Sequence, residues 1–159
     1  MYKRQHHHLF QTLTKAIIKA QNASLFDWLK ILYPIWSRIT SVELKSAVKI
    51  GLSELMTSGC TTTSDHLYIF PNGIKLEDEI EVAQTLGIRF HSTRGSMSIG
   101  ESNGGLPPDY LVEDESFIIK DSQDIINKWH DHSHGSMIRI ALAPCSPFSV
   151  SKELMRDTA

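Results

Sequence analysis

The amino-acid sequence predicts an α/β fold of parallel strands with helices packed outside them. Three observations carry that prediction. Apolar residues at helical spacing alternate along the chain with short runs rich in β-branched and aromatic residues. Glycines fall where two of the helical stripes stop, at Gly59 and Gly87. The composition, 41% hydrophobic and 21% charged over 159 residues, is that of an ordinary globular domain.

The elements run in order along the chain. Leu9, Leu13, Ala16, Ile17 and Ala20 share one helical face, so Leu9 to Ala20 is expected to be helical. Asn22-Ala-Ser breaks that stripe, and Leu25 to Trp36, interrupted by Pro34, predicts a short helix and a loop. A long helix is expected from Val42 to Ser58. Thr40 and Glu43 have the spacing of a capping box, Leu44, Val48, Leu52 and Leu55 form the buried stripe, and Gly59 ends it. Cys60 to Phe70 predicts a strand and the loop leaving it, with Pro71-Asn-Gly as a turn. Leu76, Ile80, Ala83 and Leu86 make the next amphipathic helix, Ile88 to Thr93 a short strand, and Gly95 to Asp109 a polar loop. Glu113 to Trp129 is a further helix, with Ile118, Ile125 and Trp129 inward and acidic residues in its first turn, where the dipole favours them. Met137 to Ala143 reads as a buried strand, Pro144 to Pro147 as a turn, and Ser149 or Ser151 as the cap of a last helix. Alternation of this length argues parallel β/α units.

The ends do not match a closed domain. Met1 to Gln5 offers only a polar stub of strand before His6, and the last helix has barely two turns before Ala159. The expectation is one partial domain, residues 1–159, cut short at both ends.

Charge and composition exclude several classes of function. The formal net charge is −2 and the longest basic run is Lys3-Arg4, so nothing resembles the concentrated cationic surface that phosphate backbones need. Apolar runs fall far short of the roughly 20 residues that span a bilayer, and no secretory leader is evident. Two cysteines, Cys60 and Cys145, build no disulfide framework, which places the chain in a reducing cytoplasm.

His6-His7-His8 is the leading chemical motif. In an extended strand alternate side chains share a face, so His6 and His8 can present two imidazoles to one ion, and imidazole suits zinc and iron. A frayed terminus or tag remnant is the competing reading of the triplet alone. His8-Leu-Phe-Gln11 then resembles the strand-one signature of the amidohydrolase superfamily, in the branch that deaminates purines and related heterocycles. The strings Gly59-Cys-Thr-Thr-Thr-Ser-Asp-His66, Thr93-Arg-Gly-Ser-Met-Ser, Gly104-Gly-Leu-Pro-Pro-Asp and Leu142-Ala-Pro-Cys-Ser-Pro-Phe-Ser-Val extend the resemblance along nearly the whole chain. They look like the 8-oxoguanine deaminase group and its guanine deaminase and s-triazine hydrolase relatives.

The resemblance implies a (β/α)8 barrel, a fold of about 250 residues, of which this chain matches about the first four β/α units. It further implies that His6 and His8 bind the metal and that Gln11 contacts the base, whose edge suits an amide's paired donor and acceptor. The remaining metal ligands and the proton-shuttling glutamate are implied beyond Ala159, so no catalytic residue is assigned within the chain. The strand that precedes the histidines in the family is replaced here by Met1-Tyr-Lys-Arg-Gln.

Other residues carry two readings each. His66 lines the substrate pocket or is a half-buried loop histidine. Arg94 meets a carbonyl or carboxylate of the substrate or forms a structural salt bridge under the 95–109 loop. Trp28 and Trp36 are a stacking wall for a flat ring or core. Cys60 is expected to pack, Cys145 to lie near the mouth without a base to activate it, and His130-Asp-His-Ser-His134 to be a solvated turn.

The implied function is zinc-dependent hydrolytic deamination of an amino-heterocycle such as 8-oxoguanine, with iron as the alternative metal. The runner-up is a triazine or pterin amidohydrolase, and the rival class is a non-catalytic half that needs a complementary chain. The isolated chain is expected to be inactive, to bind zinc weakly and to self-associate. Its partners are a small heterocycle and a second copy or complementary half-barrel, with neither nucleic acid nor membrane.

Overall fold

The computed structural model describes Lys3, Arg4 and residues 6–159. Met1, Tyr2 and Gln5, on which part of the expected strand stub falls, lie outside the described residues. Among those described, the chain forms a four-stranded parallel sheet in sequential order: β1 (Lys3–Arg4), β2 (Thr62–Leu67), β3 (Arg89–Ser96) and β4 (Ile138–Pro144). Five α-helices connect and flank it: α1 (Leu25–Trp36), α2 (Ser41–Thr57), α3 (Glu77–Leu86), α4 (Glu115–Trp129) and α5 (Lys152–Asp157). Adjacent parallel strands joined by outer helices are consecutive units of a barrel wall, the partial (β/α)8 architecture.

Local chemistry explains the helix limits. Thr40 and Glu43 form the capping box of α2, whose face of Leu44, Val48 and Leu52 is buried. Gly87, at φ 74°, closes α3 in the left-handed conformation that glycine adopts without strain. Asp114 caps α4 through Ser116 and Phe117 N–H, and Ser151, not Ser149, caps α5. Helix α1 runs unbroken to Trp36 because Pro34 sits in its last turn, where the bond it removes concerns only the exposed Lys30.

Two expectations needed correction. Leu9 to Ala20 is not one helix but two short 3₁₀ turns, Leu9–Thr14 and Ile18–Ala20. Its apolar spacing is not a buried stripe: Leu9 and Ala20 anchor in the core while Leu13 is 46% exposed. The third strand runs on to Ser96, past its expected end at Thr93.

Strand alternation divides the sheet into two faces. Asp65, Leu67, Phe90, Ser92 and Arg94 point to the helices, where Trp36, Leu52, Ile69 and Ile80 build the main core. Ser64, His66, His91, Thr93 and Gly95 stand on the concave face, and there His91 and Arg139 are exposed.

One core contact is not apolar. Asp65 of β2 and Glu79 of α3 are fully buried against each other. Asp65 Oδ2 and Glu79 Oε1 meet no N–H or O–H donor, and a proton shared between the carboxyls would satisfy the pair. Burial pushes the Asp65 carboxyl up to about 7, and burial together with the neighbouring Asp65 charge raises Glu79 well above the usual range. The folded state therefore holds a proton that the unfolded state releases. The stability this lends is complete below the ordinary carboxylate range and is lost as pH rises through about 7. Urea midpoints should fall between pH 5 and pH 8 relative to those of E79Q, whose amide donates to Asp65 without titrating. Taking the difference between the two proteins cancels the histidine contributions, and parallel profiles would refute the shared proton.

Candidate metal centre

Three side chains converge where the chain enters the sheet. His6, His8 and His66 each offer a ring nitrogen, all within 4.8 Å of one another, the one such cluster among the described residues. The Nε2 atoms of His6 and His8 lie 3.0 Å apart. The spacing His-x-His achieves this as alternation requires, and β2 brings His66 to the same face.

The triplet is stitched to the end of β2. His66 N–H donates to the His7 carbonyl at 2.8 Å, and His8 Nδ1–H donates to the His66 carbonyl at 2.8 Å. Leu9 N–H donates to Asp65 Oδ1 at 2.6 Å. With its proton held on Nδ1, neutral His8 turns the Nε2 lone pair toward His6, which is how a metal-ligating imidazole is oriented. Burial, reinforced by His6 and His7, lowers the His8 pKa, and burial with His8 nearby pushes His66 down to about 4. Both rings are neutral at pH 7. His66 Nε2–H donates to the Ala143 carbonyl at 2.9 Å, so Nδ1 is its lone-pair nitrogen.

The residues fit a metal. Two ligands at 2.0–2.1 Å from a tetrahedral zinc stand roughly 3.3 Å apart, close to the observed pair. An ion can replace the single proton that the two facing Nε2 atoms share.

A cavity of about 640 Å³ opens beside the cluster, within the range of small-molecule sites. His6, His8, Gln11 and His66 line it with Trp28 and Tyr68. Gln11 Nε2 donates to the Tyr68 hydroxyl at 3.3 Å. Trp28 thus faces the cavity, whereas Trp36 is wholly buried against Phe10 and Trp28. Cys145 also lines it, its thiol raised to about 11 by burial, and is not a nucleophile at neutral pH. Cys60 is buried as expected. His130 is held by the backbone of Ile140, and the 130–134 turn gathers no ligand cluster.

The structure does not bring Arg94 to this pocket. Its guanidinium turns to the helix side, 1% exposed, pairing with Glu113 at 2.9 Å and Asp121 at 2.9 Å over the Phe70 ring. An even position on β3 points away from the concave face, so of its two sequence readings the salt bridge is the one the geometry matches. Tyr68 was missed, although it stands two residues after His66, the step that returns a strand to the same face. Its ring meets both His8 and His66, with centroids 5.1 and 5.4 Å away.

Comparison with known proteins agrees with this geometry. The Amidohydrolase family profile matches residues 5–159. The chain is 49% identical over 156 residues to 8-oxoguanine deaminase from Pseudomonas aeruginosa, covering 97% of this chain and 35% of that protein. It is 32% identical to isoxanthopterin deaminase from an unknown prokaryotic organism, covering 97% and 33%. It superposes with a TM-score of 0.90 and 27% identity on atrazine chlorohydrolase from Arthrobacter aurescens complexed with zinc, covering 98% and 36%. The chain thus spans about a third of the length of the curated relatives it matches. Among the described residues no helix is long and apolar enough to cross a membrane.

Two substitutions check the geometry. A Cβ on Gly95 would stand 2.5 Å from His66 Nε2 and 2.6 Å from the Leu67 carbonyl, so G95A should cost about 1–3 kcal/mol in urea unfolding and displace the His66 ring signal in NMR. R94M strands Glu113 and Asp121. It should cost about 3 kcal/mol, the low end for a buried pair because Asp121 is 40% exposed, without shifting the His6 and His8 ring signals.

Proposed function

The chain belongs to the amidohydrolase family, and on that footing we propose that the protein it represents is a metal-dependent hydrolytic deaminase of an oxidised purine such as 8-oxoguanine. The observation that carries this reading is the His6–His8 Nε2 pair, 3.0 Å apart, beside a cavity lined by Gln11 and aromatic rings. The family is metal-dependent, and a zinc-bound relative makes zinc the metal of choice here, with iron as the alternative.

In this reading His6 and His8 hold the ion, and the His66 carbonyl fixes the tautomer of His8. When bound, the ion supplies the Lewis acidity that makes water a nucleophile at neutral pH. Gln11, steadied by Tyr68, offers the base edge one donor and one acceptor. Trp28 flanks the flat ring and excludes water, and neutral His66 lines the pocket as a hydrogen-bonding wall. The substrate is a small heterocycle.

Residues 1–159 form one partial barrel domain. Two imidazoles fall short of the three protein ligands plus water of a catalytic zinc site, so the later ligands and the proton shuttle belong to further strands. The chain alone is inactive and binds zinc weakly. It associates with its own copies or with a complementary half through the unpaired strand edges. Its two unpaired thiols suit a reducing cytoplasm. The 32% identity to a pterin deaminase and the fit to a triazine enzyme favour, as second reading, a triazine or pterin substrate in the same pocket.

Complementation tests both. The chain mixed with the remaining barrel segment of the Pseudomonas relative should release ammonia from 8-oxoguanine, and H6A/H8A should abolish it. Release from the triazine or pterin but not the purine moves the assignment to the second reading. Release by the purified chain alone would contradict its inactivity.

A further inference from the structure

We propose that the buried Asp65–Glu79 pair positions the His6/His8 ligand pair, acting through the Leu9 N–H. The proposal rests on the metal reading above and goes beyond it, since neither carboxyl reaches the cavity.

Three hydrogen bonds hold the triplet to β2, and they differ in kind. Two run to or from the backbone of His66 and would survive any side chain at that position. The third, Leu9 N–H to Asp65 Oδ1, is the shortest at 2.6 Å and depends on a side chain. It fixes the peptide immediately after His8. Without it the His8 backbone turns about its last anchor, and the imidazole can no longer satisfy the His66 carbonyl and face His6 together.

A carboxylate performs this task only if it is itself held. Asp65 is fully buried, its second oxygen reached by no N–H or O–H donor, and the equally buried Glu79 carboxyl is its neighbour there. Glu79 stands in the first turn of α3 with Ser92 Oγ donating at 3.5 Å, and the helix N-terminus favours the single negative charge that two carboxyls and one proton carry. A chain of contacts thus runs from α3 through Glu79, Asp65 and Leu9 to His8. Burying two acids costs desolvation that an apolar pair would not, and what Asp65 returns is the acceptor for the buried Leu9 N–H.

The test is a zinc titration of the chain, followed by the ring ¹⁵N shifts of His6 and His8, with circular dichroism reporting the fold. E79Q keeps a donor toward Asp65 and should bind zinc within about twofold of the wild type. D65L/E79L fills the core but removes the acceptor of the Leu9 N–H, and should bind about tenfold more weakly with its helix signal intact. A folded D65L/E79L with wild-type zinc affinity overturns the proposal. Should that variant lose its helix signal, D65S/E79Q, polar but too short to reach Leu9, takes its place with the same two readings. If the wild type responds to zinc no more than H6A/H8A does, the metal reading itself fails and carries this proposal with it.

Discussion

The seam between the opening histidine triplet and the end of β2 is the constraint on which the site depends. Among the described residues β1 pairs with β2 at Lys3 and Arg4. The histidines that follow are anchored to β2, which pairs with β3 over six residues and meets Glu79 of α3 on its other face. His8 borrows its orientation from the His66 carbonyl, His7 from the His66 N–H, and Leu9 from Asp65. The His6/His8 pair is therefore tied to the central strand, although residues 6–8 carry no regular secondary structure of their own.

Alternation along parallel strands then assigns each residue its work. Asp65 and His66 are neighbours in sequence and face opposite layers: one braces the loop from the helix side, the other meets the cavity. On β3, Arg94 binds α4 to the sheet and Gly95 yields space to the His66 ring. The environments differ accordingly. Low polarity depresses the His66 imidazole, which lets it remain a neutral hydrogen-bonding wall, while on the other face the same low polarity raises the two carboxyls until they share a proton.

Much of this was legible in the sequence because it is local. The capping box of α2, the glycine after α3 and the order of parallel units each depend on a few neighbouring residues. That His6 and His8 share a side was legible from period two, and Gln11, which lines the cavity, was singled out by a family resemblance. The features that escaped depend on partners far away in sequence. Spacing from Leu9 to Ala20 mimics a helix, but only packing against α2 decides that Leu9 and Phe10 are buried while Ile18 is not. Arg94 keeps both of its readings, substrate contact and salt bridge, until the face of β3 is known. The pairing of Asp65 with Glu79 crosses from a strand to a helix, and no pattern within either element announces it.

The same distinction separates the core of this chain from its candidate site. Its core lies between sheet and helices, and Trp36, Phe90, Ile69 and Ile80 come from consecutive β/α units that bury one another. The concave face carries Ser64 and Thr93, which hydrogen-bond to each other, and His91 and Arg139, which are exposed to water. Helix-side packing is therefore settled by neighbours along the chain. Concave-side chemistry belongs to the closed barrel, whose ligands must arrive from strands spread around its circumference. Residues matching about a third of the relatives' length already carry two facing imidazoles beside a cavity of about 640 Å³.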